Sequence, residues 1–229
     1  MESINSNLEV SNILKNIRAH YEFRRISPVL ESKMYPKANC LFVEMASAIC
    51  GKDYDTTYTA EIINRLVRWV YNSPIDGIDC NKGFLLRGET GRGKTLLMYA
   101  LKEFLQYEAH RYEVGGKRYR IDLEIVSARN IAREYAQQSE ESIINKYSYR
   151  VPCLCIDDLG SEPMLTSNYG NKCSVVSEIL ANREQGRLLT FATTNLPSLG
   201  EFYDDRILSR MHTLFNSQTL SHKTDYRTL

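Results

Sequence analysis

The chain predicts an α/β fold: a three-layer parallel sheet with helices on both faces, preceded by a small helical region. Three observations carry that expectation. Short apolar runs at residues 83–86, 121–126, 153–156 and 188–192 alternate with helical patterns. A glycine-rich turn joins the first run to a helix, and a pair of acids ends the third. Brief apolar runs separated by helices are the mark of parallel strands buried on both faces. With 229 residues, 43% apolar and 25% charged, there is enough chain for one sizeable core.

Taken in order, Leu8, Ile13, Leu14 and Ile17 recur at helical spacing, so residues 8–17 are expected to form a short amphipathic helix. A second helix is expected at 38–49. A third, at 57–71, gathers Ile62, Ile63, Leu66, Trp69 and Val70 on one face. Asn72-Ser73-Pro74-Ile75-Asp76-Gly77 reads as a turn, and the chain divides there. Residues 1–75 are then a helical region suited to binding a partner, and 76–229 the main α/β core. The basic stretch 111–120, with Gly115-Gly116 at its centre, reads as an exposed hairpin or loop.

A formal net charge of +1 gives no whole-molecule field for nucleic acid, so any such contact needs local clusters of Lys and Arg. The cysteines at 40, 50, 80, 153, 155 and 173 form no C-x-x-C pair. Most read as small buried apolar groups in a reducing compartment. The first ten residues lack the apolar stretch of a secretory signal, and no run is long enough to span a bilayer. A cytoplasmic protein without membrane contact is expected.

Gly88-Glu89-Thr90-Gly91-Arg92-Gly93-Lys94-Thr95 matches G-x-x-x-x-G-K-[ST]. Its setting matters as much as the match: Phe84-Leu85-Leu86 precede it as a strand, and Leu96-Leu97-Met98 follow as the start of a helix. Glycines let the backbone turn sharply and aim N–H groups inward, and the helix adds its positive end. Such a nest suits a polyphosphate, so ATP with Mg2+ is expected. Lys94 would reach the outer phosphates, and the Thr95 hydroxyl would ligate the metal.

Asp157 and Asp158 close the apolar run Cys153-Leu154-Cys155-Ile156, at the carboxyl edge where α/β sheets bind ligands. Strand side chains alternate faces. Asp157 is therefore expected in the metal shell, and Asp158, pointing elsewhere, is expected to orient or deprotonate a water; Glu162 is a second candidate for that base. Such acids also cap helices or face water, and it is the upstream loop that favours the catalytic reading. Asn195, after Thr193-Thr194, would set an amide beside the γ-phosphate, or serve as a turn former before Pro197. Arg206, Arg210 and Arg227 are surface arginines unless the fold gives one a role in phosphoryl transfer.

The ordered series G-E-T-G-R-G-K-T, C-I-D-D-L-G-S-E-P, T-F-A-T-T-N-L and D-D-R-I-L-S-R-M resembles the AAA+ ATPases of the DnaC, DnaI and IstB group, over residue 83 to the end. These are helicase loaders and transposition helper proteins. The resemblance implies a P-loop NTPase core of AAA+ type, with Gly88, Glu89, Thr90, Gly91, Arg92, Gly93, Lys94 and Thr95 as Walker A. It makes Asp157 and Asp158 Walker B, and Asn195 sensor one. Arg210 would be an arginine finger reaching a neighbouring subunit's nucleotide, with Arg206 the runner-up, and Arg227 the sensor-two arginine. It further implies an ATPase acting in DNA replication on single-stranded DNA as a nucleotide-dependent homo-oligomer, its partner a replicative helicase or, for a transposition helper, a transposase. Residues 1–75 depart from the group in holding no zinc ligand set. Within 146–150, Lys146-Tyr147-Ser148-Tyr149-Arg150 mixes aromatics and cations as single-strand grooves do, or else is core. A small-molecule P-loop kinase and an ATP-binding module without turnover remain as readings from other classes.

Overall fold

The computed structural model describes residues 24–26, 30–108, 111–114, 117–137, 140–168 and 171–221. The helix expected at 8–17, the Gly115-Gly116 turn and Arg227 lie outside these residues. In chain order the described elements are β1 (Arg24–Ile26), α1 (Tyr35–Cys50), α2 (Ala60–Val70), β2 (Gly83–Arg87), α3 (Lys94–Tyr107), β3 (Arg111–Val114), β4 (Lys117–Arg120), β5 (Leu123–Ser127), α4 (Ala128–Gln137), α5 (Glu140–Asn145), β6 (Cys153–Leu159), β7 (Thr166–Asn168), β8 (Asn171–Cys173), α6 (Val175–Gln185), β9 (Leu189–Thr194), α7 (Asp205–Leu214) and β10 (Phe215–Thr219).

Strands β10, β2, β9, β6 and β5 hydrogen-bond in that order, all parallel. Side-chain alternation divides the core into two clusters. Phe84, Leu86, Cys153, Cys155 and Phe191 meet α1, α2 and α3, whereas Leu85, Leu154, Ile156 and Ala192 meet α4, α6 and α7. Because neighbours along a strand point to opposite faces, this division is the three-layer arrangement the sequence predicts.

Helix α1 starts with a proline in its first turn and stops at Gly51, whose φ of 73° allows the left-handed cap. Helix α2 buries Ile62, Ile63, Leu66, Trp69 and Val70. Trp69 is wholly buried, edge-on to Phe84 and Phe191 at 5.9 and 5.2 Å, and its ring N–H donates to the Lys82 carbonyl at 2.7 Å. Truncating it to alanine removes about 3–5 kcal/mol. Residues 35–71 thus share one apolar cluster with the sheet.

Strand β10 has no counterpart among the expected strands. Its sequence, FNSQT, carries no apolar run, and its parallel pairing with β2 at the sheet edge holds it. The Asn216 amide adds to this by accepting from Asp79 N–H at 2.9 Å and donating to the Asp79 carbonyl at 2.8 Å. Among the cysteines, only Cys153 and Cys155 are buried, both in the inner strand β6. The others sit on helices, loops and an outlying hairpin, where less chain covers them. Residues 111–114 and 117–120 pair as the antiparallel strands β3 and β4. Residues 146–150 form a π-helical turn that buries Tyr147 and Ser148, which leaves Tyr149 and Arg150 at the surface. No described helix is long and apolar enough to cross a membrane.

Candidate functional site

The turn between β2 and α3 wraps a cavity lined by residues 91–96, Asp158, Asn195 and Cys50. Gly93 caps α3 at φ 82°, a left-handed conformation that any side chain resists. Gly88 adds a second need to its own positive φ of 144°: a Cβ there would sit 2.6 Å from the Leu220 carbonyl oxygen. Lys94 opens α3 and is only 4% exposed. Its ammonium donates to the carbonyls of Gly88 and Glu89, each at 2.8 Å, and to Asn195 Oδ1 at 2.6 Å. Three donors therefore meet three acceptors, two of them the loop's own backbone. Arg92 pairs with Glu89, whose side chain is exposed, and Thr90 is exposed at the loop's crest.

Strand β6 places the acids through an irregularity that strand periodicity does not foresee. Ile156 pairs with Ala192 and Leu159 with Thr194, so three steps along β6 match two along β9. Asp157 and Asp158 together oppose Thr193, as in a β-bulge, and the regular alternation fails there. Asp158 takes a φ of 56°, left-handed for a residue with a Cβ. Both carboxylates consequently turn toward the phosphate loop. Asp157 Oδ1 accepts from Thr95 Oγ1 at 2.8 Å and from Thr193 Oγ1 at 2.6 Å. Asp158 Oδ1 accepts from Asn195 Nδ2 at 2.9 Å. Burial pushes the Asp157 carboxyl above its ordinary range, against the Thr193 and Thr95 hydroxyls, which favour its charged form.

The structure thus brings Lys94, Thr95, Asp157, Asp158 and Asn195 into one hydrogen-bonded group. It holds Glu162, Arg210 and Arg206 apart from the cavity. Glu162 is buried, with its carboxylate accepting from Tyr203 O–H and from Gly160 N–H, the latter at 2.8 Å. Arg210, on α7, donates to Glu184 Oε2 at 2.7 Å and to the Ala181 carbonyl at 3.3 Å. Arg206 is exposed one turn earlier on the same helix. Cys50, at the end of α1, lines the cavity without any motif to announce it. A contact made by a helix end far upstream leaves no local spacing to read.

The donor set suits magnesium held chiefly through a nucleotide. Thr95 and Asp157 offer hard oxygens side by side, and the described residues contain no cluster of three or more His, Cys, Asp or Glu able to hold an ion unaided. Magnesium commonly takes one or two carboxylates and completes its shell with phosphate and water.

No protein-family model matches the chain, and no curated protein matches its sequence. Solved structures do match. The chain is similar to a crystal structure of DnaI at 24% identity and a TM-score of 0.55, covering 80% of this chain and 93% of that one. It is similar to the DnaC helicase loader at 18% identity and 0.53, covering 74% and 92%. It is also similar to AMPPCP-bound DnaA from Aquifex aeolicus at 15% identity and 0.52, covering 78% of this chain and 51% of that one. These likenesses show the fold alone: a parallel α/β sheet covered by helices on both faces, shared with DnaI, the DnaC helicase loader and DnaA.

Proposed function

We propose that this chain binds ATP with magnesium and hydrolyses it as a replication switch of the helicase-loader kind, its nucleotide state controlling homo-oligomer assembly on single-stranded DNA. The observation that carries the reading is the bonded path from Lys94 through Asn195 to Asp158, with Thr95 and Asp157 joined beside it. Backbone N–H groups of the loop and Lys94 bind the phosphate tail, with phosphate oxygens replacing the carbonyls that Lys94 now holds. Thr95 and Asp157 hold the metal, which supplies charge neutralisation on the transferring phosphoryl group. Asn195 fixes Asp158, and Asp158 orients or deprotonates the attacking water. Glu162 is engaged by Tyr203 and Gly160, which favours Asp158 for that role. The likeness to the DnaC helicase loader and to AMPPCP-bound DnaA supports both the ligand and the setting.

Arg210 lies outside its own chain's cavity, which fits an arginine supplied to a neighbour's nucleotide. Its pairing with Glu184 has to open for that. The two side chains are 36% and 26% exposed, and a pair so wetted is worth about 1 kcal/mol or less. An isolated subunit is therefore slow, lacking an interaction worth about 10³-fold or more in rate. The test is phosphate release with and without single-stranded DNA. Stimulation by DNA, lost in Arg210→Ala and regained when that variant is mixed with Lys94→Ala, is the expected result. Turnover indifferent to DNA would contradict the switch, phosphate passed to a small acceptor would favour a kinase, and ATP binding with no turnover would favour a simple ATP-binding module.

A further inference from the structure

We propose that Thr193 is a positioning residue that sets both acids of the site through a single hydroxyl; this rests on the ATP–magnesium reading above. Thr193 lies on β9 opposite the bulge and is wholly buried. Its Oγ1 donates to Asp157 Oδ1 at 2.6 Å and accepts from the Asp158 backbone N–H at 2.9 Å. A threonine hydroxyl has one proton and two lone pairs, so these two bonds fix its polarity. The proton must go to Asp157, and that oxygen must be an acceptor. Thr95 Oγ1 donates to the same oxygen from the other side at 2.8 Å. The carboxylate plane is thus held between the phosphate loop and β9.

The second bond acts on Asp158 through its backbone. A left-handed backbone is unfavourable for a residue with a Cβ, and the tie from Asp158 N–H to Thr193 Oγ1 holds it there. The side chain then meets Asn195, which in turn holds Lys94. Removing the hydroxyl therefore frees the metal-side acid to rotate and lets the water-side acid relax toward an ordinary strand conformation. Thr194, the next residue, supplies the contrast. It is equally buried, and its hydroxyl donates to the Leu159 carbonyl at 2.8 Å without touching either acid.

The experiment compares wild type, Thr193→Val, Thr193→Ser and Thr194→Val by calorimetric titration with AMPPCP, with and without magnesium, alongside steady-state hydrolysis. Thr193→Val should keep metal-free affinity, lose about tenfold of the magnesium-dependent gain and lose kcat more than KM, since the charge-assisted hydrogen bond that holds the metal-side acid is gone. Thr193→Ser should restore both. Thr194→Val should melt lower but keep the magnesium gain. If Thr193→Val melts below the assay temperature, Thr193→Cys, which fills similar space with a weak donor, should give a magnesium gain between those of wild type and a metal-free titration. A magnesium gain and kcat equal to wild type in Thr193→Val or Thr193→Cys, or equal losses in Thr193→Val and Thr194→Val, would overturn the role of Thr193 alone. Absence of any magnesium gain in wild type would overturn it together with the reading it rests on.

Discussion

Two buried cations, Lys94 and Arg183, are solvated by the protein in the same way and put to different ends. Arg183, on α6, is 0% exposed and uses all five of its N–H donors. They go to Thr190 Oγ1 and to the carbonyls of Tyr147, Val151, Pro152 and Leu189, at 2.7–3.3 Å. Burial lowers its pKa to about 10, still well above neutrality, so the cage holds a guanidinium rather than a neutral group. Lys94 is nearly as buried but lines a cavity, and two of its three acceptors belong to the loop that would receive a ligand. A closed cage makes a strut joining the π-helical turn, the start of β6 and the start of β9. A cage with one open wall makes a binding group whose present partners can be exchanged.

That contrast is broken or sharpened by substitution. The largest effect is expected from Lys94→Ala, which removes two phosphate contacts worth about 2 kcal/mol each, or roughly a thousandfold in triphosphate affinity. Its unliganded melting curve should stay close to wild type, and calorimetry with parallel thermal unfolding checks both. Arg183→Met should do the reverse. It strands buried carbonyls at about 3 kcal/mol in stability, read by urea denaturation, with affinity per folded molecule unchanged. Arg183→Lys keeps the charge but not the planar fork, and should cost about half as much. A loss of affinity in Arg183→Met at full folding would join the two cages into one functional unit.

The smallest effect concerns pH. Burial raises the Glu162 carboxyl, against the hydrogen bond from Tyr203, so the folded chain keeps that proton to higher pH than the unfolded one. Its stabilising contribution is full below the ordinary glutamate range and is lost as pH rises through the raised value. Wild type should therefore lose stability relative to Glu162→Gln across that window, as measured by denaturation at a series of pH values. An opposite slope would mean that the Tyr203 and Gly160 bonds outweigh burial.

Much of this was legible in the sequence wherever the chemistry is local. The phosphate loop is a contiguous motif between a strand and a helix, and β2, β5, β6 and β9 announce themselves by apolar runs, the three inner ones because both of their faces are covered. Strand β10 did not, since pairing at an edge demands no apolar run. The meeting of Asp157 with Asp158 was hidden for another reason. A bulge is a mismatch between two strands, and neither strand carries it alone. Arg183 belongs to no sequence motif, and only carbonyls converging from separated segments reveal its burial. Arg210 was picked out by the resemblance, but its tether to Glu184 belongs to the packing of α6 against α7.

The claim that the loop around Lys94 is an open cage for a triphosphate is tested most directly by titrating the purified chain with ATP in a calorimeter, with and without magnesium. Single-site binding, tightened by the metal and lost in Lys94→Ala, is the expected result. A cooperatively folding protein with no measurable affinity for any nucleoside triphosphate would contradict it.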